Sequence, residues 1–243
     1  MRPRGIAVSA GLIDNGRVGA LLILMVLLGA QAVRTAAQQA LPLPAPQRRG
    51  GVSLEEALAR RETVRSFSPE PLKLCEISQL LWAAGGRSAD AISSATRTYP
   101  SAGGIYPLDL YLVAGKVRGL KEGVYLYLYG EHALLPVRTG DHRGGLARAA
   151  LMQEWIAGAP ASVVITAQYQ RTQARYGTRG IQRYVPMDAG HAAQGLHLQA
   201  FAQGLGSAAV GAFDDAQVKR LLGLDRAGDE PLLILPVGRP ARE

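Results

Sequence analysis

Hydrophobic and polar positions along the chain repeat with two periods. Leu54, Ala57 and Leu58 recur at helical spacing behind Ser53-Leu54-Glu55-Glu56. That start is a capping box, in which the Ser53 hydroxyl closes the first turn and Glu56 reaches back. It predicts a helix from Leu54 to about Arg61. A second helix is predicted from Leu74 to Ala84, with Ile77, Leu80 and Leu81 on one side and Gly85-Gly86 ending it. Strand-like segments follow at Leu108–Ala114 and Gly123–Tyr129, with a turn at Gly130-Glu131-His132 into Ala133–Val137. Ala161–Ala167 reads as a central strand, and Met187–Gln203 as a long helix rich in Ala and Leu, closed by Gly204. Strands are predicted at Gly206–Phe213 and Pro231–Val237, separated by an Asp-capped helix from Asp214 to Leu222. Helices and hairpins are mixed without regular βαβ alternation, which predicts an α+β fold and not a doubly wound one.

The first residues follow neither pattern. Arg2, Arg4 and Arg17 precede an uncharged run from Val18 to Gln31, which ends in Ala30-Gln31-Ala32, a signal-peptidase pattern. The run is shorter than the ~20 residues a spanning helix needs. A cleaved export signal over residues 1–32, and hence a periplasmic protein, is the expectation; an uncleaved membrane anchor competes with it. Residues 33–50, with three prolines and no apolar period, read as a tether to a domain over 51–243.

Composition narrows the chemistry. An apolar fraction of 48% excludes a disordered chain. Cys75 is the single cysteine, which excludes an intramolecular disulfide framework. The 4 histidines form no HxxxH or HxH pair, so no metal site is expected. The net charge of +8 comes from 23 Arg against 4 Lys, without a basic block interleaved with aromatics, so nucleic acid is not an expected partner. No GxSxG pattern supports a hydrolase. His132 and His142 read as surface loop residues, His191 and His197 as residues on different helix faces, and Cys75 as a small apolar filler.

Three segments could bind a ligand. Arg61-Glu62-Thr63-Val64-Arg65 presents guanidiniums and a hydroxyl suited to a phosphate, although complementing the helix macrodipole explains such arginines first. Tyr99-Pro100-Ser101-Ala102-Gly103-Gly104 lets backbone approach a flat or anionic ligand, or is simply a tight turn before a strand. Gly204–Phe213 is a run of minimal side chains, as beside a planar ring or in close helix–strand packing.

In this order and at these intervals the segments resemble the FMN-dependent nitroreductase superfamily, and within it the SagB-type dehydrogenase branch. The resemblance rests on SLEEALARRETVRSF, ISQLLWAAGG, RTYPSAGGIYPLDLYLVAG, MDAGHAAQGLHLQAFAQGLGSAAVGAF, and LLGLD with PLLILPVGRP, in register from Ser53 to Pro240. It implies a mostly antiparallel sheet flanked by helices in an intertwined homodimer, with FMN at the subunit interface. It further implies that Arg61, Thr63 and Arg65 hold the FMN, and that Pro100, Ser101, Ala102 and Gly103 approach it from the other subunit. Val210, Gly211 and Ala212 would lie beside the ring with a backbone N–H toward it, and Arg239 would be a further phosphate ligand. Glu62 stands where the family commonly has a basic residue.

The implied activity is two-electron hydride transfer to or from a small organic substrate, with NAD(P)H as donor in the cytoplasm, or a quinol or protein donor after export. Some SagB-type members oxidise azolines with a Lys-Tyr pair. Arg183-Tyr184 stands nearest here, so Tyr184 is the candidate catalytic contact while the Arg makes a poor base. A flavin carrier or sensor without turnover, and a flavin-free family member, are the alternatives.

Overall fold

The sheet grows from an alternation that is apolar on both faces. A computed structural model of the protein describes residues 39–88, 96–224 and 228–241, so the segment expected to direct export lies outside the described residues. The elements are β1 (Leu41–Pro42), α1 (Leu54–Arg60), β2 (Leu72–Lys73), α2 (Leu74–Gly85), β3 (Leu108–Ala114), β4 (Val117–Arg118), β5 (Gly123–Leu128) and β6 (Ala133–Thr139). They continue with α3 (Arg143–Ala149), α4 (Trp155–Gly158), β7 (Ala161–Gln168), α5 (Tyr169–Arg179), a π-helix (Gly180–Tyr184), α6 (Val185–Ala202), β8 (Gly206–Ser207), α7 (Asp215–Leu222) and β9 (Asp229–Gly238). The order in the main sheet is β1-β6-β5-β3-β7-β9-β8, and every pairing in it is antiparallel. β2 and β4 form a small parallel pair beside it. The fold is α+β, as the sequence predicts.

Because side chains alternate across a strand, Leu108, Leu110 and Leu112 of β3 face one core with α2 and α6, while Tyr111 and Val113 face another with α3 and α7. α2 buries Ile77, Leu80, Leu81 and Ala84 completely. The alanines of α6 have a packing role: a Cβ on Gly195 would lie 2.6 Å from the Ala83 carbonyl oxygen, so small residues let the two helices touch. α7 starts as predicted, with the Asp214 carboxylate accepting the Gln217 N–H at 2.8 Å.

Several expectations change. Part of the tether belongs to the domain: Leu41–Pro42 pairs with β6, and Gln47 exchanges hydrogen bonds with the Gln79 side chain at 2.8 and 2.9 Å. His132 is no free loop residue. Its ring meets Tyr127 Oη at 2.8 Å, Ser78 Oγ at 2.7 Å and the Pro44 carbonyl at 3.0 Å, fastening that strap to the core. Cys75 is exposed, not a core filler. Glu56 pairs with Arg60 instead of reaching back, and Leu54 and Leu58 remain exposed while Ala57 alone of α1 is buried. The strand predicted over Gly206–Phe213 is two residues and one further bridge, Val210 to Ile234. Pro236 opposite has no N–H to donate, so the ladder does not run through. α3, α4 and α5 are not predicted, because their sequences carry no sustained apolar period.

Candidate functional site

α1 ends at Arg61, whose N–H still bonds to Ala57, and the chain then extends. Thr63 bridges to Ser207 in β8, and the Val64 N–H donates to the Ser207 carbonyl at 3.1 Å. Further on, the Ser68 N–H donates to Arg239 at 2.8 Å and the Ala241 N–H to Ser66 at 3.0 Å. Residues 61–68 are therefore clamped between β8 and the C-terminal tail. A Cβ on Gly206 would lie 2.5 Å from Val64 Cβ, so this approach requires glycine. Glu62 and Val64 line a cavity of about 160 Å³ with Arg60, Phe201 and Gly206. The period-two alternation of extended chain turns Arg61, Thr63 and Arg65 the other way. Glu62 thus stands apart from the predicted anion side.

The charges on that side are uncommitted. Among the described residues, neither the Arg61 nor the Arg65 guanidinium has a hydrogen bond or ion pair; Arg65 lies 5.9 Å over the Trp155 ring. Arg239 differs, being held by Glu76 at 2.6 Å and Glu70 at 3.4 Å. Its charge is already matched by carboxylates, which weakens the phosphate role expected for it.

Behind Arg61, His197 Nδ1 meets Ser207 Oγ at 2.6 Å. Burial, assisted by the Arg61 charge, pushes His197 down to about 4 from 6.5. Between these values the unfolded chain binds a proton that the folded chain does not. Stability should therefore fall as pH drops from about 6.5 to 4, by on the order of 3 kcal/mol. Urea unfolding across that range measures the loss, and His197→Asn should flatten this part of the profile.

At the third predicted segment the N–H assignment changes. Val210 is buried and exchanges both backbone bonds with Ile234 at 2.9 Å, so its N–H is used by the sheet. Gly211 and Ala212 are exposed, and a Cβ on Gly211 would meet nothing within 4 Å. Their N–H groups have no partner among the described residues and are the ones able to face a ligand.

The remaining predicted residues gather elsewhere. Ser101 Oγ donates to Asp188 Oδ2 at 2.5 Å and accepts the Tyr106 N–H at 2.9 Å, while the Ala102 N–H reaches Asp188 Oδ1 at 3.4 Å. Burial raises the Asp188 carboxyl, against the hydrogen bonds from Ser101 and Ala102. Pro100 is exposed beside this turn. Gly103 has φ +63°, and a Cβ there would lie 2.5 Å from Tyr176 Oη. Tyr184 Oη accepts from Arg179 Nε at 3.1 Å. Among the described residues, no hydrogen bond or ion pair joins this cluster to the Arg61–Arg65 side. Asp188, His197 and Glu76 were not anticipated. Asp188 and His197 lie in stretches that carry the resemblance, but nothing in their spacing marks a role. No group of His, Cys, Asp or Glu among the described residues could hold a metal ion.

The chain thus presents unpaired arginines and a hydroxyl on a segment bridged to β8, within an antiparallel α+β sheet fold. A nitroreductase family model matches residues 58–239. MJ1384 of Methanocaldococcus jannaschii, which carries a nitroreductase name, is 41% identical over 188 residues, covering 77% of this chain and 91% of that one. A structure from Ralstonia eutropha JMP134, also named for a nitroreductase, is 28% identical with a TM-score of 0.74 over 86% of this chain and 92% of that one. The E. coli microcin synthetase McbBCD complex shares the fold at 23% identity and a TM-score of 0.66, over 98% of this chain and 85% of that chain. The chain belongs to the nitroreductase family and is an oxidoreductase of that family.

Proposed function

We propose that the protein is an FMN-dependent oxidoreductase of the SagB-like type, exchanging two electrons as hydride with a small organic substrate. The observation that carries this reading is the pair of uncommitted guanidiniums, Arg61 and Arg65, on either side of Thr63 in the segment clamped against β8. Bound FMN would supply the redox chemistry. Arg61 and Thr63 suit its phosphate, by charge-assisted and neutral hydrogen bonds. Arg65, held over Trp155, suits the ring, where its charge would stabilise negative charge that develops on reduction. The N–H groups of Gly211 and Ala212 would be donors available to the bound cofactor. Tyr184 is the side chain proposed to contact substrate. Glu62 lines the cavity on the opposite side with Val64, so its charge does not count against an anion beside Arg61 and Arg65.

A homodimer is part of the proposal. Leu54, Leu58, Leu151, Met152 and Met187 are large apolar side chains left exposed in one chain. The Pro100–Gly103 turn stands apart from Arg61, as a turn serving the cleft of a second copy would. Export rests on the N-terminal apolar run, and with it a quinol or protein donor would replace NAD(P)H.

The test is the visible spectrum of the purified chain, with chromatography of any released cofactor. A yellow protein releasing about one FMN per chain is the expected result. A colourless protein that stays colourless after incubation with FMN would overturn the reading.

A further inference from the structure

One segment of the chain is both basic and aromatic, and the fold compacts it further. Tyr169–Tyr184 carries four arginines and no acidic residue, half of the chain's net charge of +8. Gly177 turns this segment back on itself with φ 57° and ψ −147°, a backbone region that glycine alone occupies readily. The five-residue π-helix that follows rotates Arg183 and Tyr184 relative to an α-helix, and such insertions recur at functional sites.

The turn brings Tyr176 and Tyr184 edge to face, 5.0 Å apart. Arg175 Nη1 reaches the Gly103 carbonyl at 3.5 Å, and Arg179 Nε donates to Tyr184 Oη. Of the described carboxylates that contact this neighbourhood, Asp188 faces inward to Ser101, and Asp109 pairs with Arg171 at 3.3 Å. Arg175, Arg179 and Arg183 have no carboxylate partner among the described residues. Guanidiniums without counter-ions, beside two phenol rings at a glycine turn, form a receptor for an aromatic or conjugated anion.

We propose that this corner, Arg175 and Arg179 with Tyr176 and Tyr184, selects an organic substrate bearing a carboxylate. This rests on the FMN reading only in that the Pro100–Gly103 turn borders the cleft where electrons are exchanged. The guanidiniums bind the carboxylate, the rings cover the apolar body, and Asp188 holds the turn through Ser101.

Flavin-loaded protein, reduced anaerobically with dithionite, is mixed with 4-nitrobenzoate or 4-nitrobenzamide, and reoxidation is followed by absorbance. The benzoate should react faster, with a rate that falls as salt rises. Arg175→Gln/Arg179→Gln should lower the benzoate-to-benzamide rate ratio by about tenfold for each guanidinium removed. Arg175→Lys/Arg179→Lys, which keeps the charge, should restore most of that ratio. Calorimetry with benzoate and benzamide reads binding without turnover, and only benzoate should bind and depend on the arginines. Equal rates for both acceptors, a glutamine variant that slows both alike, or benzoate that does not bind would overturn the proposal. A chain that takes up no FMN would defeat the cofactor reading instead, while arginine-dependent benzoate binding would still establish the anion site.

Discussion

Arg61→Ala/Thr63→Ala protein is expected to purify colourless, with FMN affinity lowered by about a hundredfold or more. One lost charge-assisted hydrogen bond is worth about 1.5–3 kcal/mol and one neutral bond about 1, which together give that factor. Folding should survive the change. Neither side chain has a hydrogen bond or ion pair among the described residues, and the Thr63 bridge to Ser207 is made by backbone. Denaturant midpoints should therefore stay close to wild type while the visible spectrum disappears. A second readout follows from His197, which the Arg61 charge helps to hold down. Its pKa, followed by NMR in flavin-free protein of both kinds, should rise in the variant, reporting the lost cation. Full FMN retention in the folded double variant would rule out the phosphate assignment.

The second large effect is on stability. Glu76 lies at the first turn of α2 with its side chain 12% exposed. One oxygen accepts from Arg239 Nη2 at 2.6 Å, and the other accepts the Lys73 N–H at 2.7 Å. Glu76→Ala leaves a largely buried guanidinium without its close partner and an N-terminal donor of α2 unsatisfied. Removing one member of such a pair costs about 3–5 kcal/mol. Glu70, also near Arg239 but 66% exposed and at 3.4 Å, offers the internal comparison. Glu70→Ala should cost less than about 1 kcal/mol, because water screens that pair. Urea unfolding of both variants decides it, and equal losses would show that burial does not govern the pair.

Much of the fold was legible along the chain, for reasons that differ by element. β3 and β5 announce themselves by runs of Leu, Tyr and Val, and β7 by its β-branched residues, since each spans a buried sheet. α2 carries its own stop at Gly85-Gly86 and α7 its own start, where Asp214 caps it as its position suggests. α5 was invisible because its residues are polar and only Thr172 is buried. α1 looked amphipathic, but the described residues leave Leu54 and Leu58 exposed. The tether looked unstructured because prolines hide a two-residue edge strand, which is held by His132 and Gln79 more than by its own ladder.

By itself the sequence determined the class of fold, the Ser53 and Asp214 helix caps, and the order of the arginine, glycine and small-residue segments that mark a nitroreductase. These are local properties, carried by periodicity and residue type. Only the tertiary structure decided which charges are free. Arg61, Arg65 and Arg239 look alike in the sequence, yet Glu70 and Glu76 approach Arg239 and among the described residues no carboxylate reaches the other two. It also decided that the Val210 N–H belongs to the sheet and those of Gly211 and Ala212 do not, and that a glycine turn gathers arginines and tyrosines spread over ten residues. Whether a charge or an N–H is available depends on what long-range packing sets against it, and no local pattern records that.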